Sequence, residues 1–172
     1  MTQAEARHAS ERVADWLSRA PEYERCQRLA VYAELPGELA MVQVVARARS
    51  AGKRLIWPRI AAPYGLVFAS VDRVEDLVRG RYGVREPRAG APVESLGPDV
   101  LVLVPGVAFD IHGGRLGRGG GLWDRTLIDP RGATIFGVGY EFQVVERVPQ
   151  ELHDRPMDAL LTEAWIRRCA RP

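Results

Sequence analysis

The run Val100-Leu-Val-Leu-Val104 constrains this chain more than any other stretch. Five consecutive apolar residues leave a strand no polar face, so it must be covered on both sides. That requirement is met by a central strand of a mostly parallel sheet. The neighbouring sequence supplies the rest of such a sheet. Residues 29–33 read as a buried strand ahead of a Pro36-Gly37 turn, and 54–57 as another, stopped by Pro58. Residues 66–69, 134–138 and 157–161 read as further strands. Helical segments alternate with them. Thr2 and Glu5 form a capping box, Ala6, Ala9, Val13, Trp16 and Leu17 return on one face, and Pro21 ends that helix. A second helix is expected over 38–50, with Met41, Val44, Val45 and Ala48 inward and Gly52 closing it. Val74, Leu77 and Val78 suggest a short helix, 80–98 a loop, and 163–168 a final helix. The alternation predicts an α/β layered domain with a mostly parallel sheet. With no internal repeat, linker or second core, residues 1–172 read as one domain.

At 172 residues the chain can bury a core without disulfide or metal staples. It has no run of about 18 apolar residues, so no membrane-spanning helix is expected. The opening Met1-Thr2-Gln3-Ala4-Glu5 is not a secretory leader, so the expected location is cytoplasmic. Twenty-four basic and 22 acidic residues are interspersed, giving a net charge of +2. That balance argues against a nucleic-acid module, which would show a basic stripe. Lys53 is the only lysine, so positive charge sits on arginine, which grips anions through a planar fork and does not titrate. Cys26 and Cys169 lack CxxC spacing and indicate neither a metal site nor a disulfide.

The chemistry is expected immediately after the apolar run, in Val104-Pro-Gly-Val-Ala-Phe-Asp-Ile-His-Gly-Gly-Arg-Leu-Gly-Arg-Gly-Gly-Gly-Leu-Trp-Asp-Arg125. Ligands of open α/β sheets bind beyond the carboxyl ends of the strands. A glycine loop opening a helix, here 122–128, lets backbone N–H groups approach a phosphate. Arg115 and Arg118 can add charge-assisted hydrogen bonds, and Asp124 can hold a hydrated Mg²⁺ shared with phosphate oxygens. The spacing of Gly117, Gly119, Gly120 and Gly121 is neither that of a Walker A loop nor that of a dinucleotide fingerprint. A glycine turn that binds nothing, with Asp124 serving the helix dipole, is the plainer alternative.

Residues 105–125 resemble the signature of the 5-formyltetrahydrofolate cyclo-ligase family, also called methenyltetrahydrofolate synthetases. The resemblance extends over roughly residues 10–163. It takes in 32–38, ending in Gly37-Glu38; 83–87, ending in Glu86-Pro87; 137–143; and His153-Asp154 through Asp158 to Thr162-Glu163. It implies a three-layer α/β/α fold. It also implies an MgATP-dependent conversion of 5-formyltetrahydrofolate to 5,10-methenyltetrahydrofolate, with ADP and phosphate released. Carried over by position, Arg115, Gly117, Arg118, Gly119, Gly120, Gly121, Leu122 and Trp123 would line ATP. Arg115 and Asp124 would be the catalytic pair, and Asp124 and Asp154 would be the magnesium ligands. Ala33, Glu38, Arg118 and Leu122 would meet the folate, Glu38 by hydrogen bonds to the pterin ring. His153 need not act as a base. The implied partners are small molecules only, and small relatives of this kind are expected to be monomers.

Two departures from the family pattern accompany the resemblance. Its members usually begin with a basic helix of the form Lys-x-x-x-Arg, whereas residues 9–19 here resemble the family's second helix; Arg7 is a partial stand-in. Leu122-Trp123 also replaces the usual Tyr-Tyr, keeping one aromatic face and losing a hydroxyl. A non-catalytic relative that binds folate or nucleotide is the alternative reading.

Overall fold

The computed structural model describes residues 2–61, 65–151 and 154–170. The chain opens with helices α1 (Gln3–Ser18) and α2 (Pro21–Arg25), strand β1 (Arg28–Ala30) and helix α3 (Val42–Ser50). The hairpin β2 (Arg54–Ala61) and β3 (Gly65–Ser70) follows, then three short pieces, β4 (Val78–Arg79), β5 (Arg85–Glu86) and β6 (Val93–Glu94), and the longer β7 (Val100–Pro105). Next come β8 (Ala108–Asp110), β9 (Arg115–Leu116), α4 (Leu122–Leu127), β10 (Thr134–Val138) and β11 (Val144–Val145). The chain closes with β12 (Ala159–Leu161) and β13 (Ile166–Arg168).

Eight of these strands form one sheet in the order β13-β12-β10-β7-β1-β2-β3-β6. The five strands from β12 to β2 run parallel, with β7 between β1 and β10. At the flanks β13 pairs antiparallel with β12 and β3 with β2, and β6 pairs antiparallel with β3. The apolar run is therefore central, and its side chains divide by the two-residue period of a strand. Leu101 and Leu103 enter the core under α1–α3, while Val100, Val102 and Val104 enter the core on the opposite face. The neighbours split in the same way: Leu29 against Ala30, Leu55 and Trp57 against Ile56, Phe136 against Ile135. The second face is covered by α4, through Leu127, and by the small sheet β11-β8-β9, through Phe109. This is the expected α/β architecture with a mostly parallel central sheet.

Several boundaries differ from the sequence reading. Pro21 does not merely end the first helix; it starts α2, where its missing N–H is no loss. The second helix begins at Val42 rather than at 38, because side chains capture the preceding backbone. Tyr32 Oη donates to Leu39 O at 3.0 Å, and Ser10 Oγ donates to Ala40 O at 2.7 Å. Pro58 does not stop β2. The adjacent donor on the same side, Ile60 N–H, turns away from β3 and meets Glu86 Oε2 at 2.9 Å, while β1 pairs only as far as Ile56. The nitrogen of Pro58 therefore faces a side with no ladder to break. The segment 74–78 is one 3₁₀ turn at Val74–Asp76 followed by β4. The final segment is not helical. Thr162 Oγ1 accepts from Ala164 N–H and Trp165 N–H, which turns the chain so that β13 pairs back on β12.

Candidate active site

β7 ends at Pro105, and the chain makes a small excursion before returning. β8 and β9 pair antiparallel, with Phe109 opposite Arg115, which brings Arg115 back beside the end of β7. There its Nη1 donates to Pro105 O at 3.4 Å and its Nη2 pairs with Asp124 Oδ1. The Arg115 side chain is only 5 % exposed, whereas Asp124 is 29 % exposed. The guanidinium is thus fixed from behind, while its partner carboxylate looks outward.

The glycine loop spans these two residues. Gly121 caps α4 with φ +58°, and a Cβ there would lie 2.6 Å from Arg125 Nη1. The left-handed backbone favours glycine, while the flexible guanidinium could shift to relieve the contact. Arg125 Nη2 donates to Gly120 O at 2.7 Å and fastens the turn. Helix α4 is short, but it is anchored from the side. Thr126 Oγ1 accepts from Leu66 N–H at 2.8 Å, and Trp123 packs on Phe68 with ring centroids 6.1 Å apart. Trp57, by contrast, is buried in the core with Nε1 donating to Val71 O.

The second wall comes from the turn after β1. Glu38 Oε2 accepts from Leu35 N–H at 2.9 Å, and Glu38 Oε1 accepts from Arg118 Nε at 3.2 Å. Arg118 Nη2 also reaches Pro36 O at 3.3 Å. Glu38 is 10 % exposed and Arg118 53 % exposed, so the arginine leans over an acid that is nearly enclosed. Ala33 lies in the same turn, half-buried against the core. Burial, followed by the nearby Glu38 and Glu34, pushes the Tyr32 phenol well above its ordinary range, so it remains a neutral donor.

The sequence-derived candidates therefore assemble as two ion pairs, Arg115–Asp124 and Arg118–Glu38, on loops that leave the carboxyl ends of adjacent strands β7 and β1. Asp154 lies on a third segment, where its carboxylate accepts from Glu151 N–H at 2.8 Å. His153 falls outside the described residues. Arg7 forms an exposed pair with Glu11 along α1. Neither thiol offers a nucleophile: burial raises Cys26, and burial with nearby Asp110 and Asp158 pushes Cys169 up to about 11.

Two residues with structural weight here were assigned no role from sequence. Gln143 Nε2 donates to Gly106 O and Val107 O, tying the stretch after β10 to the stretch after β7. Asp110 is fully buried and accepts from His112 N–H, Gly114 N–H and Val148 N–H. Burial alone would raise its carboxyl, but the three donors hold it below the usual carboxylate range. An aspartate shortly before a Gly-Gly pair is an Asx-turn signal, and that signal was available in Asp110-Ile-His-Gly-Gly114.

Comparisons with known proteins identify the family of the chain. The family model for the 5-formyltetrahydrofolate cyclo-ligase family matches residues 1–163. The 5-formyltetrahydrofolate cyclo-ligase of Escherichia coli K12 is 32% identical over 175 residues, covering 96% of this chain and 94% of that protein. The enzyme of the same name from Mycolicibacterium smegmatis is 39% identical over 88 residues, 50% of this chain and 45% of the relative. Among solved structures, the Aquifex aeolicus 5,10-methenyltetrahydrofolate synthetase superposes with a TM-score of 0.83 at 33% identity, covering 100% of this chain and 87% of that one. A Mycoplasma pneumoniae 5,10-methenyltetrahydrofolate synthetase, at 17% identity and a TM-score of 0.73, shares the fold over 95% of this chain and 90% of its own. With a match spanning nearly its whole length and a glycine loop set between two ion pairs, this chain belongs to the 5-formyltetrahydrofolate cyclo-ligase family of enzymes.

Proposed function

We propose that the chain uses MgATP to close 5-formyltetrahydrofolate to 5,10-methenyltetrahydrofolate, releasing ADP and phosphate. The observation that carries this reading is the Arg118–Glu38 pair. It joins a loop suited to phosphate with an acid suited to a heterocycle, although the two residues lie 80 positions apart. In the proposed reaction the formyl oxygen bonds to the γ-phosphorus as the bond to ADP breaks. N10 then attacks the formyl carbon, phosphate departs with the formyl oxygen, and the N10 proton passes to solvent. Such a sequence needs positioning and charge neutralisation rather than a protein nucleophile.

Arg115, held from behind by Pro105 O, faces the charge that builds on the transferring phosphoryl group. Backbone groups of Gly117, Gly119, Gly120 and Gly121 line the phosphates, with Leu122 and Trp123 against the nucleotide. Glu38 hydrogen-bonds the pterin, with Ala33 and Leu122 at its edges. Arg118 moves between Glu38 and the incoming substrates.

The donor set suits magnesium. Among the described residues no cluster of three acidic, histidine or cysteine side chains forms a closed cage. Mg²⁺ needs only one or two carboxylates when phosphate oxygens and waters complete its octahedron. Asp124, partly exposed, and Asp154 would hold it, and it would supply charge neutralisation at the phosphates. The partners are small molecules, and no helix of the described residues is long and apolar enough to cross a membrane. We assign the protein to the cytoplasm, acting as a monomer.

The test is the appearance of methenyltetrahydrofolate absorbance from purified protein, 5-formyltetrahydrofolate, ATP and Mg²⁺. A rise that needs all three additions supports the reading. Thermal stabilisation by folate or ATP with no product would make the chain a binding protein instead.

A further inference from the structure

The cyclo-ligase reading leaves unused the most enclosed carboxylate on the carboxyl side of the sheet. Asp110 ends β8 with none of its surface exposed. Its Oδ1 accepts from His112 N–H at 2.8 Å and Gly114 N–H at 3.0 Å, which closes the turn that delivers Arg115. Its Oδ2 accepts from Val148 N–H at 2.9 Å, where the chain leaves β11 toward Asp154. That excursion is pinned a second time to the same turn, because Met157 N–H donates to Gly113 O at 2.9 Å. The turn has no slack. A Cβ on Gly114 would lie 2.4 Å from Asp110 Oδ2, and one on Gly113 would lie 2.7 Å from Met157 O.

We infer that Asp110 is a positioning residue that sets the Arg115 loop and the Asp154 segment in register with each other. This rests on the cyclo-ligase reading for its consequence in turnover, but not for its geometry. A single buried carboxylate bonded to the Arg115 turn and to Val148, beside the Met157 N–H bond to Gly113 O, fixes their separation more firmly than two exposed loops could fix it themselves. Asparagine at this position keeps the shape but replaces one acceptor oxygen with a donor facing an N–H.

The test compares Asp110→Asn with Leu17→Ala, a core truncation within α1, chosen to lower stability. Hydrogen exchange without ligands is read at His112, Gly114, Val148, Asp154 and Met157. Turnover is then measured with 5-formyltetrahydrofolate and MgATP. The expected result for Asp110→Asn is at least tenfold faster exchange at those amides and a kcat reduced up to about a hundredfold, with the KM for folate little changed. Leu17→Ala should keep the parental kcat per folded molecule.

The inference is overturned if Asp110→Asn leaves those amides protected, or if it merely lowers the melting temperature and keeps the parental kcat, as Leu17→Ala should. Should Asp110→Asn fail to fold, Gly114→Ala presses on the same carboxylate from the other side and is expected to give the same exchange and kcat pattern. A parent with no turnover would count against the cyclo-ligase reading, and the exchange arm would still decide the role of Asp110.

Discussion

The strand β7 and the loop that follows it are adjacent in sequence and are held in opposite ways. From Val100 to Val104 every residue is at most 1 % exposed, and the side chains are held by packing on two faces while the backbone pairs with β1 and β10. Beyond Pro105 the chain is fixed by directed contacts: Arg115 to Asp124, Arg118 to Glu38, Thr126 to Leu66 N–H. Area burial is non-directional, so it can stabilise a strand but cannot aim a guanidinium. The rim needs aimed groups, and it obtains them from residues 9, 80 and 60 positions apart. Stability and chemistry are therefore separable in this molecule, and substitutions can be chosen to strike one without the other.

The largest effect on stability is expected in the strand. Leu103→Ala removes a fully buried side chain and should cost about 2–5 kcal/mol in denaturant unfolding, with kcat per folded molecule unchanged. A loss of kcat in the folded fraction would break the separation. At the rim, Arg115→Ala should reduce turnover about a hundredfold and raise the ATP requirement, with the fold intact by circular dichroism. Parental kinetics would remove Arg115 from the phosphate site. Glu38→Gln keeps the turn but loses the charge, and should raise the KM for 5-formyltetrahydrofolate about tenfold while leaving the KM for ATP near parental. Equal rises in both would show that Glu38 acts on the loop as a whole through Arg118. The smallest change is expected from Leu122→Tyr, which restores the hydroxyl usual in the family. One added hydrogen bond is worth about 0.5–1.5 kcal/mol, so kcat/KM should rise by no more than about tenfold. A loss would mean that Leu122 packs against a ligand surface that tolerates no hydroxyl.

The same contrast explains what could be read from sequence. The apolar run identified β7 and its central place because burial on both faces leaves a contiguous signature. β10 was readable to the residue for the same reason. Edge and rim elements were not, because side-chain contacts from elsewhere decide them. Helix α3 starts late because Tyr32 and Ser10 take the carbonyls of Leu39 and Ala40, and β13 exists because Thr162 turns the chain. Residues 163–168 are too few for periodicity to separate helix from strand. In the site, the residue types and the loop were legible, but their pairing was not. Nothing in the local sequence connects Arg118 to Glu38, and Asp110 looks like an ordinary turn residue until Val148 is seen on its second oxygen.

The most direct test of the account follows one atom. 5-Formyltetrahydrofolate labelled with ¹⁸O in the formyl group, turned over with MgATP, should deliver that oxygen into the released phosphate, one label per methenyltetrahydrofolate formed. Unlabelled phosphate, with the label released to water, would contradict attack of the formyl oxygen on the γ-phosphoryl group, and with it the roles given to Arg115 and Asp124.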